Sequence, residues 1–163
     1  MIEPLDVRDL LDRPGASREV HLAEPLDGLA VELVSVPGPV RVDVILESVV
    51  EGILASGRLS GEMAFRCARC LKPSRQAFRL EVTELFSPAA GRDDEEYPLR
   101  EETIELEPMV RDSVVLAMPF SPLCRPECLG LCERCGGDRN LGECSCGPEV
   151  DPRWAPLAGL ELE

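Results

Sequence analysis

Four pairs of cysteines carry the chemistry open to this 163-residue chain. Cys67 and Cys70 form a C-x2-C, Cys124 and Cys128 a C-x3-C, Cys132 and Cys135 a second C-x2-C, and Cys144 and Cys146 a C-x-C. Two thiolates spaced this way grip one ion from a tight turn, and four of them close a tetrahedral zinc site. Two such sites use all 8 cysteines and imply two zinc ions. Glycine beside a cysteine lets the backbone turn its amides toward sulfur. Cys135-Gly136-Gly137 and Gly130-Leu131-Cys132 have that form. A catalytic zinc keeps one position open for water, usually among His or carboxylate ligands; here thiolates can fill every position. An iron–sulfur cluster also accepts four thiolates, but the C-x-C end and the lack of a longer cluster-type run favour zinc.

The grouping of the pairs has two solutions. Cys132, Cys135, Cys144 and Cys146 are contiguous and close a short loop, which loop-closure entropy favours. Cys67 and Cys70 then meet Cys124 and Cys128. In the other solution Cys67 and Cys70 join Cys132 and Cys135.

Composition sets the compartment in which the thiols are read. No stretch approaches the roughly 20 apolar residues that span a bilayer. The acidic start Met-Ile-Glu-Pro-Leu-Asp has no apolar signal region. A cytoplasmic protein is expected, where thiols stay reduced and such spacing means metal rather than disulfides. The 31 acidic and 17 basic residues leave a net charge of -14. Such a surface is no nucleic-acid sleeve, since that class gains affinity by neutralising phosphates. Against this background residues 66–79 hold Arg66, Arg69, Lys72, Arg75 and Arg79 and no acid. Two readings are open: these cations offset the negative charge of a four-thiolate site, or they contact RNA phosphate or an acidic partner. Residues 81–107 run the other way, with ten acids against Arg92 and Arg100; Asp93–Glu96 reads as a solvated loop.

The elements that must position the cysteines are mostly strands. Residues 1–28 read as an irregular lead-in, with one turn of helix at Asp9–Asp12 and His21 on a surface strand or loop. Ala30–Val36 and the alternating Val40, Val42, Val44 and Leu46 read as strands joined by Pro37-Gly38-Pro39. Val49–Ser56 bends at Gly57 into Leu59–Cys67, which puts Leu59, Gly61, Met63, Phe65 and Cys67 on one face. Gln76–Phe86 returns, so the first C-x2-C is a hairpin tip, as in zinc ribbons. A helix begins with Pro108 in its first position and ends near Met118; Val114, Val115 and Leu116 are expected to be buried. Ser121–Gly147 has too few large apolar residues to order itself, and metal binding substitutes for a core. Asp151 and Pro152 open a short last helix with Trp154, Leu157 and Leu160 on one side. The expected fold is α+β: residues 29–120 form a mostly antiparallel sheet with one main helix, and 121–163 a small cysteine-rich zinc-knuckle region with the terminal helix.

Ordered motifs along the chain resemble those of one family. They are Cys67-Ala-Arg-Cys70-Leu, Leu116-Ala-Met-Pro119, Cys124-x3-Cys128-Leu-Gly-Leu-Cys132-x2-Cys135-Gly, Asn140-Leu141, Cys144-x-Cys146 and Asp151-Pro-Arg-Trp-Ala155-x-Leu157. Over residues 40–160 the chain resembles the YceD family (domain of unknown function 177), the large-subunit ribosomal RNA accumulation proteins. The resemblance implies a cytosolic bacterial protein needed for synthesis, processing or stability of 23S rRNA, typically encoded beside a large-subunit ribosomal protein gene. It implies no catalytic activity. It also supports grouping Cys67 and Cys70 with Cys124 and Cys128. Some members carry fewer C-terminal cysteines, which makes the second site a stabilising elaboration.

The sequence therefore predicts a non-enzymatic ribosome biogenesis factor with structural zinc. Its expected partners are ribosomal RNA, a basic large-subunit ribosomal protein or an assembly intermediate, with no membrane and no small-molecule substrate. A thiol-based redox or metal-handling protein is the alternative. Catalysis finds no serine elbow and no phosphate-cradling loop, and a nuclease would have only Asp93–Glu96 to use.

Overall fold

Alternation of branched aliphatic and polar residues builds the largest element, an antiparallel sheet in which every second side chain enters the core. The computed structural model describes residues 1–90, 96–147 and Arg153. Its strands are β1 (Leu5–Asp6), β2 (Ser17–Pro25), β3 (Ala30–Val31), β4 (Val34–Ser35), β5 (Pro39–Val49), β6 (Gly52–Arg66), β7 (Pro73–Ser87), β8 (Tyr97–Arg100) and β9 (Thr103–Ile104), followed by α1 (Leu106–Ala117). The order β2-β5-β6-β7 is antiparallel throughout. β8 then lies parallel to β7, and β9 and β1 complete that edge. On the other edge β4 pairs β6 beyond the end of β5.

The core lies on one face. Val40, Val42, Val44 and Leu46 of β5, Ile53, Ala55, Leu59, Met63 and Phe65 of β6, and Val82 and Phe86 of β7 are all buried. The helix closes over them with Leu106, Met109, Val110 and Val114.

Several elements differ from the sequence expectation. The stretch 1–28 is not irregular. β2 pairs along its whole length with β5, from Ser17↔Glu47 to Pro25↔Pro39, and Ile2, Val7, Leu10 and Leu26 join the main core. Its inward positions, Val20, Leu22 and Glu24, are only half-buried, so the period-2 signal is diluted at this outer strand. His21 projects from its exposed face, as expected of a surface strand. Gly57 does not separate two strands, because β6 runs unbroken past it. A Cβ there would stand 2.3 Å from the Asp43 carbonyl oxygen, so glycine is what lets β5 lie this close. Ala30–Val36 is a tight hairpin of two short strands rather than one strand, turned by Glu32 at φ 41.

The helix also starts earlier. Pro108 is its third residue, a position whose N–H has no helical acceptor and so tolerates proline. Glu107 works in this first turn: its carboxylate accepts from the Ile2 N–H at 2.9 Å and from Arg111 at 2.8 Å. Leu116 is exposed, not buried, because it sits two residues, about 200° of helix, beyond the buried Val114. The helix expected at Asp151–Leu160, with Trp154, lies outside the described residues apart from Arg153, as do Asp93, Asp94 and Glu95.

Candidate metal centres and the cationic hairpin

The β6–β7 hairpin is what carries Cys67 and Cys70 to one end of the sheet. Its register runs without a break from Ile53↔Phe86 to Arg66↔Pro73, and the loop between the strands holds the first C-x2-C. After α1 the chain returns to that loop. Ala68 N–H donates to the Pro122 carbonyl at 2.7 Å and Leu131 N–H to the Arg69 carbonyl at 3.0 Å. Cys124 and Cys128 are thereby laid against the hairpin tip. Gly130 makes this approach possible, since it has φ +75 and its added Cβ would lie 3.0 Å from the Arg69 oxygen.

The thiols gather as two tetrads. Cys67, Cys70, Cys124 and Cys128 have all sulfurs within 4.8 Å of one another, and so have Cys132, Cys135, Cys144 and Cys146. Four sulfurs about 2.3 Å from one tetrahedral ion stand about 3.8 Å apart. In the first tetrad Cys67 and Cys128 are 3.8 Å apart and Cys70 and Cys124 3.7 Å. All eight cysteines are free of disulfides. The spacing fits a metal tetrahedron.

The two C-x2-C loops have one hydrogen-bond pattern. Cys67 N–H donates to the Lys72 carbonyl and Leu71 N–H to the Cys67 carbonyl; Cys132 N–H donates to the Gly137 carbonyl and Gly136 N–H to the Cys132 carbonyl. The residue after the second cysteine is left-handed in both, Leu71 at φ 57 and Gly136 at φ 70.

The electrostatics of each tetrad favour a bound cation. Burial opposes ionisation of Cys67, but N–H groups of Cys124, Cys70 and Arg69 outweigh it and bring the thiol down to about 6. Backbone N–H from Cys135 and the Cys144 thiol bring Cys132 to about 6. Burial and then the Cys70, Cys128 and Cys67 sulfurs push Cys124 up to about 12. The Cys135, Cys144 and Cys132 sulfurs do the same to Cys146. One thiolate per tetrad is thus cheap and the last is costly. A dication among the four sulfurs removes that conflict.

The five cations of the hairpin are not equivalent. Lys72 pairs with Asp138 at 2.6 Å and Arg75 with Glu62 at 2.7 Å. Arg69 donates to the Cys128 carbonyl at 2.9 Å, so it braces the tetrad. Arg66 and Arg79 have no ion pair among the described residues.

A family model described as "Large ribosomal RNA subunit accumulation protein YceD" matches residues 55–161. The chain belongs to the YceD family. The matched span begins within β6 and takes in the hairpin, α1 and both tetrads. An uncharacterized protein of Mycobacterium tuberculosis is 38% identical over 165 aligned positions, covering 96% of this chain and 80% of the relative. The chloroplastic "Large ribosomal RNA subunit accumulation protein YCED homolog 1" of Zea mays is 31% identical over 65 positions, 39% of this chain and 22% of that one. The uncharacterized protein YlbN of Bacillus subtilis is 30% identical over 107 positions, 63% of this chain and 62% of that one. No solved structure matches.

Two residues of this YceD-family chain to which the linear sequence assigned no role tie the tetrads together. Asn140 donates through its side chain to the Cys128 sulfur at 3.6 Å and accepts from Leu129 N–H at 2.9 Å. Asp138, with a side chain 7% exposed, accepts from the Asn140 backbone and side-chain nitrogens, each at 2.8 Å. Lys72 and then Asn140 hold the Asp138 carboxyl down to about 2. Asn140 stood in the family motif, but its role needed the fold. Arg41, outward on β5, likewise gave no signal in the linear sequence.

Proposed function

We propose that this protein is a non-enzymatic ribosome biogenesis factor of the cytoplasm that supports synthesis, processing or stability of 23S rRNA. The observation that carries this reading is membership of the YceD family over residues 55–161. Two zinc ions, one in each tetrad, serve as structure. Cys67, Cys70, Cys124 and Cys128 would hold one, and Cys132, Cys135, Cys144 and Cys146 the other. Four thiolates leave no position open for a water nucleophile, so the ions contribute shape and folding free energy rather than chemistry. The chain's own residues do the rest: the hairpin tip and the Cys124–Cys146 segment form one end of the molecule, and Arg66 at that end, with Arg79 further back on β7, offers charge to ribosomal RNA or an assembly intermediate. The acidic remainder suits a basic large-subunit protein.

Depletion of the protein, followed by sedimentation of ribosomal particles and measurement of mature 23S rRNA, tests this. Fewer large subunits and less 23S rRNA are expected; unchanged profiles end the proposal. A metal-handling role has one supporting observation, the exposure of Cys135 and Cys146 in the second tetrad. Zinc that passes freely to a competing zinc protein would favour it.

A further inference from the structure

The outer face of the sheet holds a second cationic feature, across three strands rather than along the hairpin. Arg41 of β5 pairs in register with Ser60 of β6, and Ser60 with Arg79 of β7. Arg41, Arg79 and Ser60 line one cleft of about 480 Å³, flanked by the small Ala23 and Ala77. Neighbouring strands are about 4.8 Å apart, so the two arginine backbones stand about 10 Å apart with a small residue between them. The gap between the two guanidinium-bearing strands is therefore open to a ligand.

Two cations about 10 Å apart repel only weakly in water, and an anion seated between them is attracted by both. Acids are abundant nearby, yet none pairs with these two arginines. Asp43, two residues from Arg41, bonds His21 at 2.8 Å. Glu81, two residues from Arg79, bonds Arg58 at 2.9 Å. On the tip side Glu62 is taken by Arg75. Among the described residues Arg41 and Arg79 have no ion pair, and the half-buried Ser60 hydroxyl has no hydrogen bond. In a chain with 31 acids and 17 bases, two unpaired arginines around a free hydroxyl form a cluster of donors with no acceptor of their own.

We propose that Arg41, Ser60 and Arg79 form a phosphodiester-binding cleft that seats the RNA backbone. Two guanidiniums and a hydroxyl converge as donors from different strands, and the two unesterified oxygens of a phosphodiester can accept several such bonds. Ala23 and Ala77 keep the approach open. The choice of RNA as the source of the phosphate rests on the ribosomal reading above; the cleft itself rests on the geometry. It gives the acidic chain one local point of attachment, with Arg66 further along the same outer face.

The test uses the full zinc-loaded chain and a fluorescein-labelled single-stranded oligoribonucleotide, followed by polarisation over a series of salt concentrations. Arg41→Gln with Arg79→Gln is expected to weaken binding on the order of tenfold for each arginine and to flatten the salt slope by about 0.7 for each phosphate no longer neutralised. Ser60→Val keeps both charges but fills the floor, and is expected to weaken binding as well. Arg58→Gln, on the neighbouring acid-paired row, is expected to change affinity less than twofold. The cleft is overturned if the double variant binds like wild type, if wild type binds no RNA, or if Ser60→Val has no effect and the loss is diffuse electrostatics. It is also overturned if polyglutamate displaces the RNA as well as unlabelled RNA does, which would make the site one for an acidic protein. None of these outcomes touches the depletion experiment: 23S rRNA lost on depletion with an inert cleft removes only the cleft.

Discussion

The two cysteine tetrads share a loop but not a job. Each uses a C-x2-C turn with the same backbone bonds and the same left-handed residue after it. The first is closed by sulfurs far apart in sequence, Cys67 and Cys128 standing 61 positions apart and Cys70 and Cys124 54. Cys67, Cys70 and Cys128 are buried and pack with Leu123 and Leu131. The second closes within the short run from Cys132 to Cys146, and Cys135 and Cys146 are exposed. Closing a loop of nearly sixty residues rather than a dozen costs about 1.4 kcal/mol more in chain entropy, so an ion in the first tetrad would constrain far more of the unfolded chain. Identical turns therefore give a staple across the fold in one case and a self-contained knuckle in the other.

Removal of one ligand from each tetrad should show the largest difference. Cys128→Ser is expected to lower zinc content from two to one per chain and to take the thermal midpoint of the whole sheet down by on the order of 10 °C, because a staple worth several kcal/mol is lost and a domain of this size moves about 2–4 °C per kcal/mol. Cys146→Ser should also leave one zinc but move the sheet's midpoint by only a few degrees. Metal analysis with a thermal melt reads both. Equal midpoints would dissolve the distinction between staple and knuckle.

Release of the ions should follow the same order with smaller amplitude. Cys124 and Cys146 sit near 12 without metal, so loading zinc must strip their protons, and affinity in both tetrads falls as pH drops from 8 to 6. The exposed second tetrad is expected to give up its ion first to a chromophoric chelator, in a fast phase of one equivalent. The first tetrad, buried at Cys67, Cys70 and Cys128 and exposed only at Cys124, should follow in a phase at least tenfold slower. A single phase would mean that burial does not protect the first site.

Much of this was legible in the residues. Strict alternation in Leu59–Cys67 placed Cys67 on the core face at the end of a strand, and the strand continues that alternation back to Ile53. The helix itself followed from the spacing of Leu106, Met109, Val110 and Val114, although it begins at Leu106 rather than at Pro108. β2 was not legible, because Glu19, His21 and Glu24 surround Val20 and Leu22 and its partners on β5, from Pro39 opposite Pro25 to Glu47 opposite Ser17, are distant in the chain. The cationic run at 66–79 was visible as composition only. Which of its members were already committed to Asp138, Glu62 or the Cys128 carbonyl depends on chain crossings that no local pattern encodes.

Asn140 offers a finer test, since it lies in the segment of one tetrad and touches the other. Its donation to the Cys128 sulfur is the kind of outer contact whose loss costs 10–100-fold in metal affinity. Asn140→Ala is expected to weaken zinc at the first tetrad about tenfold and to leave the second within a factor of three, as read by chelator competition in Cys146→Ser and Cys128→Ser backgrounds. Equal losses at both would make Asn140 a general stabiliser of the loop rather than a link between the sites.

The smallest expected effect concerns the turn residue itself. A left-handed side chain other than glycine costs on the order of 1 kcal/mol, and Leu71 bears that cost while Gly136 does not. An added Cβ at Gly136 meets nothing within 4 Å, so Gly136→Ala isolates the conformational penalty. It should cost about 1 kcal/mol in the stability of the second knuckle, read as faster zinc release. Leu71→Gly relieves the same strain at the first turn but adds chain entropy to the unfolded state, roughly 0.5–1 kcal/mol. The two contributions nearly cancel, and the staple's midpoint should move by less than a few degrees. A large loss on Leu71→Gly would mean that the half-exposed leucine side chain packs against the C-terminal segment and belongs to the staple.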